Sequence, residues 1–184
     1  MKLLLVTDAW RPQTNGVVTT LTYVVSNLEA LGIEVDIIEP GRFLTMPLPG
    51  YAEIRLALNP FSIGRMIDDS KPDFVHVATE GPVGIAARGA LLKRLIPYTT
   101  SFHTKFPEYL HARTGFPVPW GYAFMRWFHR PAHKTLVTTQ TQCRELRAWG
   151  FDRLQIWGRG VDIDLFNPEL RARTDAEPQL LYVG

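Results

Sequence analysis

The chain has 184 residues, 46% apolar and 21% charged, a balance that excludes a disordered or fibrous protein and is long enough for a real core. Its 20 basic and 18 acidic residues leave a net charge of +2, too little to argue for a nucleic-acid partner. One cysteine, Cys143, excludes an internal disulfide and fits a reducing compartment, and the Leu3–Val6 run is too short for a signal peptide or a membrane span, so the expected location is cytoplasmic.

Lys2–Val6 is an apolar run of strand length, with Thr7-Asp8 at its carboxyl end. A loop, Trp10-Arg11-Pro12-Gln13-Thr14-Asn15-Gly16, leads into a helix whose apolar stripe runs Val17, Val18, Leu21, Val24, Val25, Leu28, Leu31 and which Gly32 closes. Two readings of Gly16 stand side by side. It brings bare backbone, with the unpaired N–H groups of a helix start, up to an anion, or it serves only a local turn. A Gly-x-Gly-x-x-Gly dinucleotide fingerprint is absent.

Residues 33–38 read as a second strand and 41–50 as loop, since the latter carry two prolines and two glycines. A strand over 51–58 and a short helix over 60–69 follow. Asp73–Val77 is a strand, and Pro82 opens a helix after Thr79-Glu80-Gly81. Residues 97–102 form the next strand, ending at His103-Thr104-Lys105. The proline-broken, aromatic-rich stretch 105–133 holds helices near 108–113 and 120–129. Strands at 135–138 and 154–157 flank a helix that Thr139 caps and Gly150 ends. Residues 169–179 read as linker.

Strands alternating with helices specify an α/β fold with a Rossmann-like parallel sheet and helices on both faces, whose ligands bind beyond the carboxyl ends of the strands. Asp8, Thr79, Glu80, His103, Thr104, Thr138, Thr139 and Arg159 all fall at that edge, and this convergence argues for a site there. No clustered His and Cys of metal-site spacing is present, so no metal is expected.

Four segments carry a family resemblance: TDAWRPQTNGVVTTL (7–21), HVATEGPVGIAAR (76–88), TSFHTKFPEYL (100–110) and WGRGVDIDLFNP (157–168). In order and spacing they resemble the amino-terminal domain of retaining GT-B glycosyltransferases of family 4, in the branch of GDP-mannose-dependent α-mannosyltransferases and sulfoquinovosyl-diacylglycerol synthases. The resemblance implies transfer of a sugar, mannose favoured, from a nucleotide sugar (GDP-mannose or a UDP-sugar) to a glycan, lipid or polyol acceptor, with no cofactor. It implies a catalytic position for His103 beside the donor sugar, with Gly16 and Arg159 on the donor side. Glu80, Thr104, Lys105 and Tyr109 would serve the acceptor, and Asp8 with Asn15 would orient the loop. Each has a plainer alternative: His103 as a strand-end histidine satisfied by backbone, Lys105 as a solvated charge, Tyr109 as core.

By the same resemblance, residues 1–168 correspond to the acceptor-side domain and 180–184 to the first strand of a donor-binding domain, so the 184-residue chain is expected to be inactive alone and 169–184 loosely ordered. The competing expectations are a non-catalytic acceptor-binding or partner-docking module, or one subunit of a split transferase whose donor-binding domain is separate. A nicotinamide-dependent oxidoreductase ranks last, for want of the glycine fingerprint. Finally, Phe116, Trp120, Tyr122, Phe124, Trp127 and Phe128 lie among Arg113, Arg126, Arg130 and Lys134, a mixture suited to peripheral contact with the inner face of a membrane or to a helix with buried aromatics.

Overall fold

The computed structural model describes residues 1–48, 51–158 and 160–170. Six strands, β1 (Lys2–Val6), β2 (Glu34–Ile38), β5 (Phe74–Val77), β6 (Thr99–Phe102), β7 (Lys134–Val137) and β8 (Leu154–Ile156), form one parallel sheet in the order β2-β1-β5-β6-β7-β8. Helix α1 (Gly16–Ala30) joins β1 to β2, and α2 (Ile63–Ser70) precedes β5. Helix α3 (Pro82–Arg94) follows β5, α4 (Phe106–Thr114) and α5 (Val118–His129) separate β6 from β7, and α6 (Gln140–Ala148) leads to β8.

Alternation along the strands sorts the core into two layers. On one face Leu5 packs against Leu21 and Val25 of α1. On the other, Leu4, Val6, Val75 and Val77 meet Ile63 and Ile67 of α2, Val83, Ala87 and Leu91 of α3, and Phe128 of α5. Phe102 and Val137 extend that second layer under Tyr122 and Met125 of α5 and Cys143 and Leu146 of α6. The expected Rossmann-like sheet with helices on both faces is what forms.

Local chemistry ends the helices where expected. Gly32 and Gly150 sit at φ +77° and +80°, the left-handed conformation a glycine adopts without a Cβ penalty. Thr139 accepts from the Gln142 N–H and caps α6. One expectation fails: the segment read as loop contains β3 (Thr45–Leu48), which pairs antiparallel with β4 (Tyr51–Ala57) in a separate two-stranded ribbon. Pro47 interrupts any strand pattern in sequence, yet an edge strand tolerates a proline because one side of its ladder has no partner to lose. The strand expected at 180–184 and most of the linker lie outside the described residues.

The crossing from β5 into α3 is tightly built. A Cβ added at Gly84 would lie against the Thr79 carbonyl, and one at Gly81 against the Asp8 carboxylate. Gly84→Ala is therefore expected to cost about 1–3 kcal/mol, the usual penalty for forcing a methyl into a packed site. A lowered urea midpoint with an unchanged slope would register it.

Candidate active site

In a doubly wound sheet the ligand crevice opens where strand order reverses, here between β1 and β5. Asp8 follows β1 at that point. Its carboxylate accepts from the N–H groups of Val83 (2.8 Å) and Gly84 (3.1 Å) and from the Thr79 hydroxyl (2.9 Å), while its own N–H donates to Thr79 Oγ1 (2.6 Å). Gly81, at the N-cap of α3, has no side chain to do this, so a carboxylate from another strand caps the helix. Burial pushes the Asp8 carboxyl above the usual carboxylate range, against the pull of those hydrogen bonds and with the nearby Glu80 charge adding to the rise. Asp8 is thus a cap for α3. Its link to Asn15 is indirect and runs through backbone: Gln13 donates from Nε2 to the Asp8 carbonyl and accepts from Asn15 Nδ2.

Asn15 has a local duty instead. Its Oδ1 accepts from both the Val17 and Val18 N–H groups at 3.0 Å, so two of the donors expected to be open at the start of α1 are already taken. Gly16 is exposed as the first residue of that helix. A groove of about 820 Å³ runs between α1 (Thr20, Tyr23, Asn27) and the segment containing Trp157, Asp162 and Phe166.

Strand β6 carries polar residues on both faces. Thr99 and Ser101 project with His103 to one side. There they meet His76 of β5, whose ring nitrogens lie 2.8 Å from Thr99 Oγ1 and 2.6 Å from Ser101 Oγ. A neutral imidazole satisfies both contacts, donating through one nitrogen and accepting through the other. Burial, with the neighbouring His103 adding to it, holds the His76 pKa down at about 3. Trp157 closes this column edge-on, its ring centroid 6.4 Å from those of both His76 and His103. On the opposite face, Thr100 contacts Thr135 (3.1 Å) and His129 Nδ1 (2.9 Å), and His129 Nε2 reaches Glu80 Oε1 at 3.1 Å. Glu80 therefore orients a buried histidine, and its side chain remains 22% exposed at the edge.

The residues after His103 are more open. Thr104 is exposed, and Lys105 makes a 2.6 Å ion pair with Glu145 of α6, both ends about half exposed. Tyr109 is exposed rather than core, with the Arg113 guanidinium 4.7 Å from its ring centroid. Arg159 lies outside the described residues. The sheet thus brings Asp8, Glu80, His103 and Trp157 to one edge, with Thr104, Lys105 and Tyr109 on the adjoining rim. Among the described residues no group of three or more His, Cys, Asp or Glu is placed to hold a metal ion.

Sequence reasoning passed over His76, His129 and Trp157. The signal for His76 was available in the Thr99-x-Ser101-x-His103 alternation, which puts three polar groups on one face of a strand that should be apolar. Nothing local pairs His129 with Glu80, 49 residues away.

The profile of Glycosyltransferase Family 4 covers residues 14–165, from the loop before α1 past Trp157. The chain belongs to glycosyltransferase family 4. Within that family it is 25% identical to a GDP-mannose-dependent alpha-mannosyltransferase of Mycobacterium tuberculosis, over 100% of this chain and 56% of the relative. It is 31% identical to the Sulfoquinovosyl transferase SQD2 of Arabidopsis thaliana over 76% of this chain and 30% of the relative. An Alpha-monoglucosyldiacylglycerol synthase of Acholeplasma laidlawii is 30% identical over 60% of this chain. The chain spans about half the length of the curated mannosyltransferases it matches. In fold it is similar to the UDP-GlcNAc 2-epimerase of Methanocaldococcus jannaschii, with a TM-score of 0.56 at 16% identity over 86% of this chain and 47% of that one. The fold is thus the Rossmann-like half of a GT-B type protein.

The buried His76 makes stability depend on pH with a definite sign. Its folded pKa lies below the unfolded value, so its contribution is full above about pH 6.5 and is lost as pH falls toward 3. Over that window the loss is about 1.4 kcal/mol per pH unit. Urea midpoints compared between neutral and mildly acid solution should fall steeply for the native chain and less for His76→Gln.

Proposed function

We propose that residues 1–168 form the acceptor-side half of a retaining glycosyltransferase, which moves a hexosyl group, mannose from GDP-mannose foremost, from a nucleotide diphosphate to a hydroxyl of a lipid, glycan or polyol acceptor. The observation that carries this reading is the placement of His103: just past the carboxyl end of β6, near neutral His76 and edge-on to Trp157, which lines the groove against α1. A UDP-sugar is the second donor. A further donor-binding half, in the same polypeptide or a separate one, completes the cleft.

The chemistry assigns each group a task. As the glycosidic bond to the diphosphate breaks, negative charge builds on the leaving phosphate and positive charge on the sugar. Gly16, with bare backbone at the half-positive end of α1, lets the diphosphate approach closely, and Arg159 serves the same side. His103 hydrogen-bonds the donor sugar near the reacting carbon. The column below it fixes this geometry, because His76 is held from both sides and Trp157 limits water. Thr104, Lys105 and Tyr109 line the rim where an acceptor hydroxyl would enter, with Glu80 at the back of the site. The Lys105–Glu145 pair sits in water and contributes little to stability, so Lys105 is free to change partner when an anionic or polyhydroxylated acceptor binds.

The test is turnover by the complete enzyme of GDP-mannose against UDP-glucose, followed as released nucleoside diphosphate. His103→Ala is expected to lower kcat by about 100-fold or more, the range of a lost positioned hydrogen-bonding or proton-handling group, with a smaller change in donor KM. Full activity in that variant, or no diphosphate released from either donor with any lipid or polyol, would overturn the reading.

A further inference from the structure

A second concentration of chemistry lies away from His103, toward the amino-terminal edge of the sheet. Arg88 of α3, Arg126 and Arg130 at the end of α5, and Arg153, which immediately precedes β8, surround a hollow of about 540 Å³ whose wall is completed by Trp127 and Pro131. A cavity of about 230 Å³ shares Arg126 and Arg130 with it. Among the described residues none of the four arginines pairs with a carboxylate: the ion pairs lie elsewhere, on Lys2, Arg42, Arg94, Lys105 and His129. Asp152, on the wall of the smaller cavity, pairs with neither Arg126 nor Arg130.

Three of the four are held in place through backbone carbonyls. Arg88 donates to the Phe128 (3.2 Å) and Trp127 (2.9 Å) carbonyls and lies 3.9 Å over the Trp127 ring. Arg126 donates to the Trp149 carbonyl at 2.7 Å and Arg153 to that of Ala132 at 3.2 Å. Backbone carbonyls bear only partial charge and leave most of each guanidinium's five N–H donors unused. These carbonyl contacts account for one edge of Arg88, Arg126 and Arg153. They account neither for Arg130 nor for four formal positive charges around one hollow. Planar guanidiniums fixed by backbone are a preorganised cradle for a tetrahedral oxyanion. The wall includes one exposed aromatic side chain, Trp127, which is 47% exposed.

We propose that this hollow is a binding site for a phosphate ester, its phosphoryl group held by Arg88, Arg126, Arg130 and Arg153 and its organic part resting on Trp127. The same chemistry is presented by the headgroup of an anionic phospholipid and by a soluble phosphate ester. Either occupant binds whether or not the chain transfers sugar, so the site stands or falls separately from the proposed activity.

Arg130→Glu is the variant of choice, because the Arg130 side chain makes no hydrogen bond within the described residues and its loss leaves the fold intact. Arg65→Glu, at an exposed position of α2, makes the same change of charge elsewhere. Binding of glycerol 3-phosphate would be followed by calorimetry. Flotation with phosphatidylglycerol–phosphatidylcholine vesicles, against pure phosphatidylcholine, forms the other arm. Arg130→Glu is expected to weaken binding about tenfold or more, as for loss of one charge-assisted contact, and Arg65→Glu to leave it unchanged. Binding in the first arm alone assigns a soluble ester, and binding confined to anionic vesicles assigns a headgroup. The proposal is overturned if the native chain binds neither probe, if Arg130→Glu binds as the native chain does, or if the two variants weaken binding equally.

Discussion

The buried carboxylate of Asp8 joins the two directions in which the sheet is wound. Strand order runs outward from β1 to β2 on one side and from β5 to β8 on the other, and between β1 and β5 nothing in the ladder alone would set the depth of the crevice. Asp8 does so by reaching across to Thr79 and to the first free N–H groups of α3. Gly81 and Gly84 permit that approach because neither has a Cβ to obstruct it. Glu80, the residue between Thr79 and Gly81, meets His129.

Strand β6 then divides the site between the two faces of the sheet. A strand covered on both sides would ordinarily be apolar throughout, because any polar group there must find a partner. Here Thr99, Thr100 and Ser101 find theirs in two histidines arriving from different elements, His76 from β5 and His129 from α5. The satisfied networks hold both rings in place beside two groups at the sheet's carboxyl edge, Glu80 next to His129 and His103 near His76. Rigidity of this kind suits any site in which a reacting group must be held in one position.

The aromatic-basic stretch resolves into two populations. Tyr122 and Phe128 enter the core, Tyr122 donating its hydroxyl to Glu108, while Trp120 and Trp127 stay exposed, Trp127 beside Arg88. Burial, one of the two readings of this segment, holds for Tyr122 and Phe128, and exposure of the others does not by itself bring membrane contact. The division follows helical periodicity, since residues 122, 125 and 128 share the inward stripe and 120, 123 and 127 the outward one.

Much of the fold was legible without coordinates because it rests on neighbours in the chain. Hydrophobic period marks β1 and α1, Pro82 and Thr139 mark helix starts, and Gly32 and Gly150 mark ends, each through chemistry that acts within a few residues. The alternation of strand and helix likewise implied a parallel sheet and a site at its carboxyl edge, and His103 and Glu80 were named there. What the chain order could not disclose were partnerships that depend on strand register and helix docking: Asp8 with α3, His76 with Ser101, Glu80 with His129, and four arginines from positions 88 to 153 around one hollow. The ribbon β3–β4 was hidden for a related reason, since Pro47 masks a strand that only an edge position permits. Sequence by itself determined which segments are strands or helices and which edge bears the polar residues, because local sterics and periodicity decide those. Tertiary structure alone decided which polar group satisfies which, because a buried donor takes the acceptor that packing brings within about 3 Å, however far away it lies in the chain.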